Sequence, residues 1–403
     1  MDSHPQPQPQ TGTNLRHGAS SPWTWVVAGL AVLLLVALTQ LPFSGRARAA
    51  VVPTPDATVR TNGRVAALTK LGNTIYIGGS FTTVTTLGGI TVTKPYLAAI
   101  NATTGDLVTG FSPNPNGQVR ALANDGTKVI VAGDFTSIGG AARHKLAAVD
   151  AASGAADANF LAHPAGGGDT IYALMSSTLH VFVGGNFSQI VDRGGPHSLP
   201  RFAMLSASTG KVASWRPAVN NTVYAISFSS SHSRVFLGGK FTTAGGATHV
   251  GLASIVASTG QIDPNFKANS VYTPVLSLSV SPNRLYAGIA GSSGGRCGGF
   301  NATSGGRVFW IIANGNVQAT SYQNGILYCG GHFTGAGAFG GLQRAKLGAV
   351  NTASGAVTDY APTFDSPLGI FTLGFNGAKL LAGGDFTTVS GVSQQGYAQL
   401  PTS

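Results

Sequence analysis

Apolar residues in this chain come in short runs rich in Val, Ile and aromatics, separated by glycine-bearing turns. One arrangement recurs. A run such as Val119-Arg120-Ala121-Leu122 is followed by Lys128-Val129-Ile130-Val131, which ends in Ala132-Gly133-Asp134-Phe135. A variable loop leads to a third run, Leu146-Ala147-Ala148-Val149, and a turn at Gly154; a fourth segment then carries an aromatic, Phe160. Four short runs per unit of about fifty residues, with glycine turns between them, predict four antiparallel strands.

The repeat can be counted from its glycines. Gly-Gly-x-Phe or a close variant places its second glycine at 79, 133, 185, 239, 331 and 384. The long step from 239 to 331 hides one degenerate copy, at Ala287-Gly288, which makes seven units. The seventh stops after its third run, Tyr397-Ala398-Gln399-Leu400, and the missing fourth has a match at Asp56-Ala57-Thr58-Val59, similar to Asp157–Phe160. The expected fold is therefore all-β: a single seven-bladed β-propeller of four-stranded antiparallel blades over residues 50–403, closed by the N-terminal strand, with no exposed edges. The glycine pairs are expected where strands crowd together, and where a bulge calls for positive φ. The phenylalanine after them is expected to plug the gap between neighbouring blades.

These residues resemble the delta-60 repeat β-propellers, found in secreted bacterial proteins and, more distantly, in fungal cell-cortex marker proteins. Gly133-Asp134-Phe135-Thr136, Leu146–Gly154 and Asp157–Phe160 carry the resemblance, which spans about 56–400. It implies a fold and an outward location, and brings no catalytic residues. Kelch and quinoprotein propellers are more distant. The Tyr and Trp that follow the kelch glycine doublet are missing. Only the third unit, with Ala203, Thr209-Gly210 and Trp215, approaches the quinoprotein docking motif.

Composition and charge narrow the setting. All 13 acidic residues are Asp, charged residues are only 9% of the chain, and the formal charge is +11. Scarce Glu, Lys and Arg argue against a helical bundle, and 43% apolar content argues against disorder. No basic run interleaves with aromatics, so no nucleic-acid partner is expected. Residues 1–22 are polar and read as disordered. Residues 23–49 hold an apolar stretch, Trp23–Phe43, and the small-x-small triplet Ala47-Arg48-Ala49. That segment reads either as a cleaved signal peptide or as a retained anchor helix, with the body outside the membrane in both cases.

Several strings match catalytic patterns without their context. Gly291–Gly295 fits G-x-S-x-G but has no helix signal after it, and Gly335–Gly340 fits G-x-G-x-x-G inside a loop. The nine His show no metal-ligand spacing, so no metal and no cofactor are expected. The variable x of Gly-Gly-x-Phe, including Asp134, Lys240, His332 and Asp385, is the best-placed polar set for a ligand. Bases in the loops after it, among them Lys94, Arg143, Arg193, Arg201 and Arg344, offer a second candidate surface. Cys297 and Cys329, in adjacent units, read either as a disulfide or as two buried thiols. Four Asn-x-Ser/Thr sequences, at Asn101, Asn186, Asn220 and Asn301, fit repeat composition better than glycosylation. The expected function is a monomeric, non-enzymatic extracellular binding or scaffolding module for a protein or polysaccharide. The alternatives are a secreted lyase or quinone-dependent oxidoreductase, and a structural spacer.

Overall fold

The computed structural model describes residues 50–402 except 167, 216, 269–270 and 272–273. The polar lead and the apolar segment 23–49 lie outside the described residues. Residues Ala50–Ser403 form one compact unit. Among the described residues it is all-β, with antiparallel sheets and no helix.

Each repeat builds its sheet from consecutive runs. In the second, Val119–Asn124 pairs with Lys128–Gly133, which pairs with Leu146–Asp150. The middle strand, KVIVAG, is buried at every position after its lysine, because neighbours cover both of its faces. That is why it reads as a continuous apolar run rather than an alternating one. The fifth and sixth repeats run together in one seven-stranded sheet.

The expected fourth strand is mostly a single contact. Only Arg307–Ala313 forms a long ladder and Gln261–Ile262 a short one; in the first, second, third and sixth repeats the segment makes one bridge, as at Val149↔Ala156. The chain there turns inward to bury its aromatic instead. Phe111, Phe160 and Phe266 are each fully buried.

The first strand of every repeat carries a bulge. The register skips one residue between Val65 and Ala67, and likewise between Val119/Ala121, Ile171/Ala173 and Val223/Ala225. It skips again at Val275/Ser277, Val317/Ala319 and Ile370/Thr372. These seven strands touch in chain order, each against the next, and Ile370–Asn376 touches Val65–Leu71.

The glycine pairs follow from this geometry. A Cβ on Gly78 would lie 2.4 Å from Val119 Cγ1 of the next repeat; on Gly184, 2.7 Å from Val223 Cγ1; on Gly383, 2.7 Å from Val65 Cγ1. The second glycine answers to its own sheet. A Cβ on Gly79 would lie 1.9 Å from the Arg64 carbonyl oxygen, which accepts the Ser80 amide at 2.9 Å. None of the paired glycines has positive φ, so close approach requires them, not left-handed backbone.

Apolar clusters fill the spaces between neighbouring repeats. One joins Val59, Val65 and Phe81 from the beginning of the described chain to Leu381 and Tyr397 near its end. The Asp56 amide donates to the Gln399 carbonyl at 2.8 Å, and the Thr61 amide to Gln395 at 3.1 Å. Gln394, buried, donates through Nε2 to Thr58 Oγ1 and the Val59 carbonyl, each at 3.0 Å. Cys297 and Cys329 form a disulfide inside the apolar cluster between the fifth and sixth repeats.

Candidate functional site

A bulge leaves one residue out of the ladder and re-aims its side chain. Here the seven bulged residues share one destination. Arg120, Tyr172, Tyr224 and Phe371 line a single cavity of about 340 Å³, together with Ala66, Leu276 and Gln318. Arg64, Gln118 and Val119, from the same strand beginnings, complete the wall.

The polar side of the wall is organised by Asp134. Arg120 grips its carboxylate with Nε at 2.9 Å and Nη2 at 2.7 Å, and Gln118 Nε2 donates to it at 2.7 Å. Burial alone would raise the Asp134 pKa. The Arg120 and Gln118 hydrogen bonds outweigh burial and hold the carboxyl below its ordinary value. The pair is therefore ionised and cancels the Arg120 charge. Because Gln118 donates to Asp134, its amide oxygen is left as an acceptor.

The aromatic side is a run of rings. Tyr172 and Tyr224 lie 5.1 Å apart, tilted by 57°. The Arg120 guanidinium sits 5.9 Å from the Tyr172 centroid, and that of Arg64 sits 4.8 Å from Phe371. Burial pushes the Tyr224 phenol above its ordinary pKa, helped by Tyr172 beside it. Arg64 differs from Arg120. It makes no side-chain hydrogen bond or ion pair among the described residues, and its Nε is buried without a partner.

Of the candidate residues taken from sequence, the structure brings Asp134 to the cavity, as the partner of Arg120. Asp385, Lys240 and His332 are not in its wall. Asp385 instead fastens a turn, accepting from the Leu368 amide at 3.1 Å and from Ser366 Oγ. Lys240 and His332 are exposed. Among the described residues no cluster of His, Cys and Asp is arranged to hold a metal.

The loop bases reach main-chain carbonyls. Arg143 Nη2 donates to Asp157 at 2.8 Å, Arg193 Nη2 to Ala158 at 3.2 Å, and Arg344 Nη1 to Gln343 at 2.6 Å. Lys94 donates to the Thr109 carbonyl at 2.9 Å and to Ser112 Oγ at 2.8 Å. Lys94 and Arg344 are buried, and burial lowers the pKa of both. These bases pin the loops to the fourth segment. The four sequon asparagines are similarly engaged; Asn220, for example, accepts the Thr242 and Thr243 amides at 2.9 and 3.1 Å.

Sequence reasoning missed the bulged residues. The signal was present: within an otherwise repeating strand, positions 66, 120, 172, 224, 276, 318 and 371 hold Ala, Arg, Tyr, Tyr, Leu, Gln and Phe. A column that varies in type between two that stay small or β-branched marks a side chain released from packing.

A second cavity of about 360 Å³, lined by Phe182, Trp215, Phe228 and His232 among others, opens between the third and fourth repeats. It draws on two repeats, where the first draws on all seven.

No family model and no curated protein matches this chain. Among solved structures it is similar to a computationally designed protein, Ika8, with a TM-score of 0.53 and 14% identity. The match covers 88% of this chain and 100% of the designed one, and it speaks to fold alone.

Proposed function

We propose that this protein is a non-enzymatic binding module of the cell exterior, built as a seven-bladed β-propeller of the delta-60 repeat kind. Segment 23–49 exports it or anchors it, and residues 56–59 complete the last blade. Three observations support the closed ring. The seven bulged strands touch in chain order and return to the first; the Gly383 position abuts Val65; and Asp56 pairs with Gln399.

The observation that carries the binding reading is the convergence of one bulged residue per repeat on one cavity. Symmetry alone brings one residue per repeat to a central channel, so it is the chemistry of those residues that marks the wall. The wall offers cations, amides and aromatic faces, which are groups that hold a ligand. Burial raises the pKa of the Tyr224 phenol. A lyase that used it as base would need the opposite shift.

The test is a titration of the full-length protein against a panel of cell-wall and extracellular polysaccharides and secreted proteins. Saturable binding is expected, weakened about tenfold by Tyr172→Ala, the scale of one lost stacking contact, with the melting temperature unchanged. Turnover of a panel member, or binding that ignores Tyr172→Ala, would contradict this reading.

A further inference from the structure

Arg64 and Arg120 stand in the same cavity wall and are electrostatically unlike. Arg120 has its counter-charge in Asp134, at 2.7 Å. Arg64 has none among the described residues, its Nε is buried without an acceptor, and its guanidinium lies 4.8 Å from the Phe371 ring. A guanidinium whose Nε is withdrawn from water with no acceptor leaves a hydrogen bond unmet, at a cost to the fold. An anion arriving from outside would remove that cost. The guanidinium fork matches a carboxylate in two-point geometry.

The rest of the wall limits what carries the anion. Tyr172 and Tyr224, 5.1 Å apart, give the wall an aromatic pair that suits a ligand with an apolar face. The Gln118 oxygen, left free by the Nε2 bond to Asp134 at 2.7 Å, asks for a donor such as a hydroxyl. A simple aromatic acid fills the rings and the arginine but leaves the amide unanswered. A neutral sugar answers the amide and rings but leaves Arg64 unpaired. A uronic acid residue meets all three needs with its carboxylate, its hydroxyls and the C–H face of its ring. The cavity, about 340 Å³, lies within the usual range for such ligands.

We infer that the cavity recognises acidic saccharides, seating a uronate carboxylate on Arg64. The inference rests on the binding reading above and goes beyond it in naming the charge and its seat.

The experiment is calorimetric titration of the full-length protein with hexagalacturonate, and with the same hexamer after reduction of its carboxyls to hydroxymethyl groups. The expected result is binding of the acid about tenfold or more tighter than of the reduced form, the scale of one charge-assisted contact. Arg64→Gln should erase that preference, and Arg64→Lys should restore part of it, which separates charge from folding. Tyr172→Ala should weaken both hexamers. Equal affinity for both hexamers that still depends on Tyr172 would overturn the uronate assignment and leave the binding reading intact. Acid binding indifferent to both Arg64→Gln and Tyr172→Ala would overturn both. A poly-aspartate peptide bound as tightly as the acid hexamer, through Arg64, would overturn the saccharide class.

Discussion

The Asp56 amide donates to the Gln399 carbonyl at 2.8 Å, just as the Asp157 amide donates to Ala148 at 2.8 Å, a hundred residues along the chain. The two aspartates also answer to equivalent lysines: Lys379 pairs with Asp56, and Lys128 with Asp157. Arg234 and Asp263 repeat the arrangement in the fourth unit. The beginning of the described chain therefore meets the seventh repeat through the same contacts that Asp157 makes within the second.

The glycine pairs give a steric prediction with a built-in contrast. Gly79→Ala drives a methyl against the Arg64 carbonyl, a main-chain atom that is also hydrogen-bonded to Ser80. A loss of about 3 kcal/mol is expected in urea unfolding. Gly78→Ala meets the Val119 side chain, which has more room to yield, so its cost should be smaller. Gly110→Ala meets nothing within 4 Å and should leave stability unchanged within about 0.5 kcal/mol. Equal midpoints for Gly79→Ala and Gly110→Ala would remove the close-approach explanation.

The disulfide between Cys297 and Cys329 spans 32 residues and ties the fifth repeat, whose glycine motif has decayed, to the sixth. Replacing both cysteines by alanine should lower the unfolding free energy by about 3 kcal/mol. Both sulfurs are fully buried, so a folded sample should resist a mild reductant that acts quickly once denaturant is added. Thiol titration with and without denaturant reads this directly.

Among the acidic side chains, stability at low pH should depend on aspartate, since the chain has no glutamate. At Asp134, Asp157 and Asp192 burial raises the pKa, and hydrogen bonds with Arg120, Lys128 and the Val212 amide overcome it, so the folded values are depressed. The unfolded chain then binds more protons on the acid side. The stabilisation is complete above the unfolded value of about 3.9 and is lost as pH falls through the lower folded values. His249, depressed by burial, adds an earlier loss that begins as pH drops below about 6.5. A pH series of melting temperatures should show two steps, and His249→Gln should remove the upper one. A single step, unaltered by that substitution, would contradict the assignment.

Much of the architecture was legible because it is repeated. Six copies of Gly-Gly-x-Phe or its Ala-Gly variant report one steric demand, at Gly79 and again at Gly331, and the antiparallel all-β fold follows from strands that short. The fourth strand was over-read: Asp157–Phe160 has the composition of a strand but turns aside to bury Phe160. The site was hidden for a different reason. Arg143 and Arg344 look like free surface charges until the carbonyls they hold come into view. Arg120, Tyr172 and Phe371 look like noise in a strand until the bulge sets them side by side. Composition reports what a residue is, and only register reports where it faces.

Hydrogen exchange at the Asp56 amide bears most directly on the closed ring. Bonded to Gln399, that amide should exchange as slowly as Asp157, its counterpart in the second repeat, and with the same dependence on denaturant. Exchange at the rate of an unstructured peptide, while Asp157 stays protected, would mean that residues 56–59 do not complete the seventh repeat.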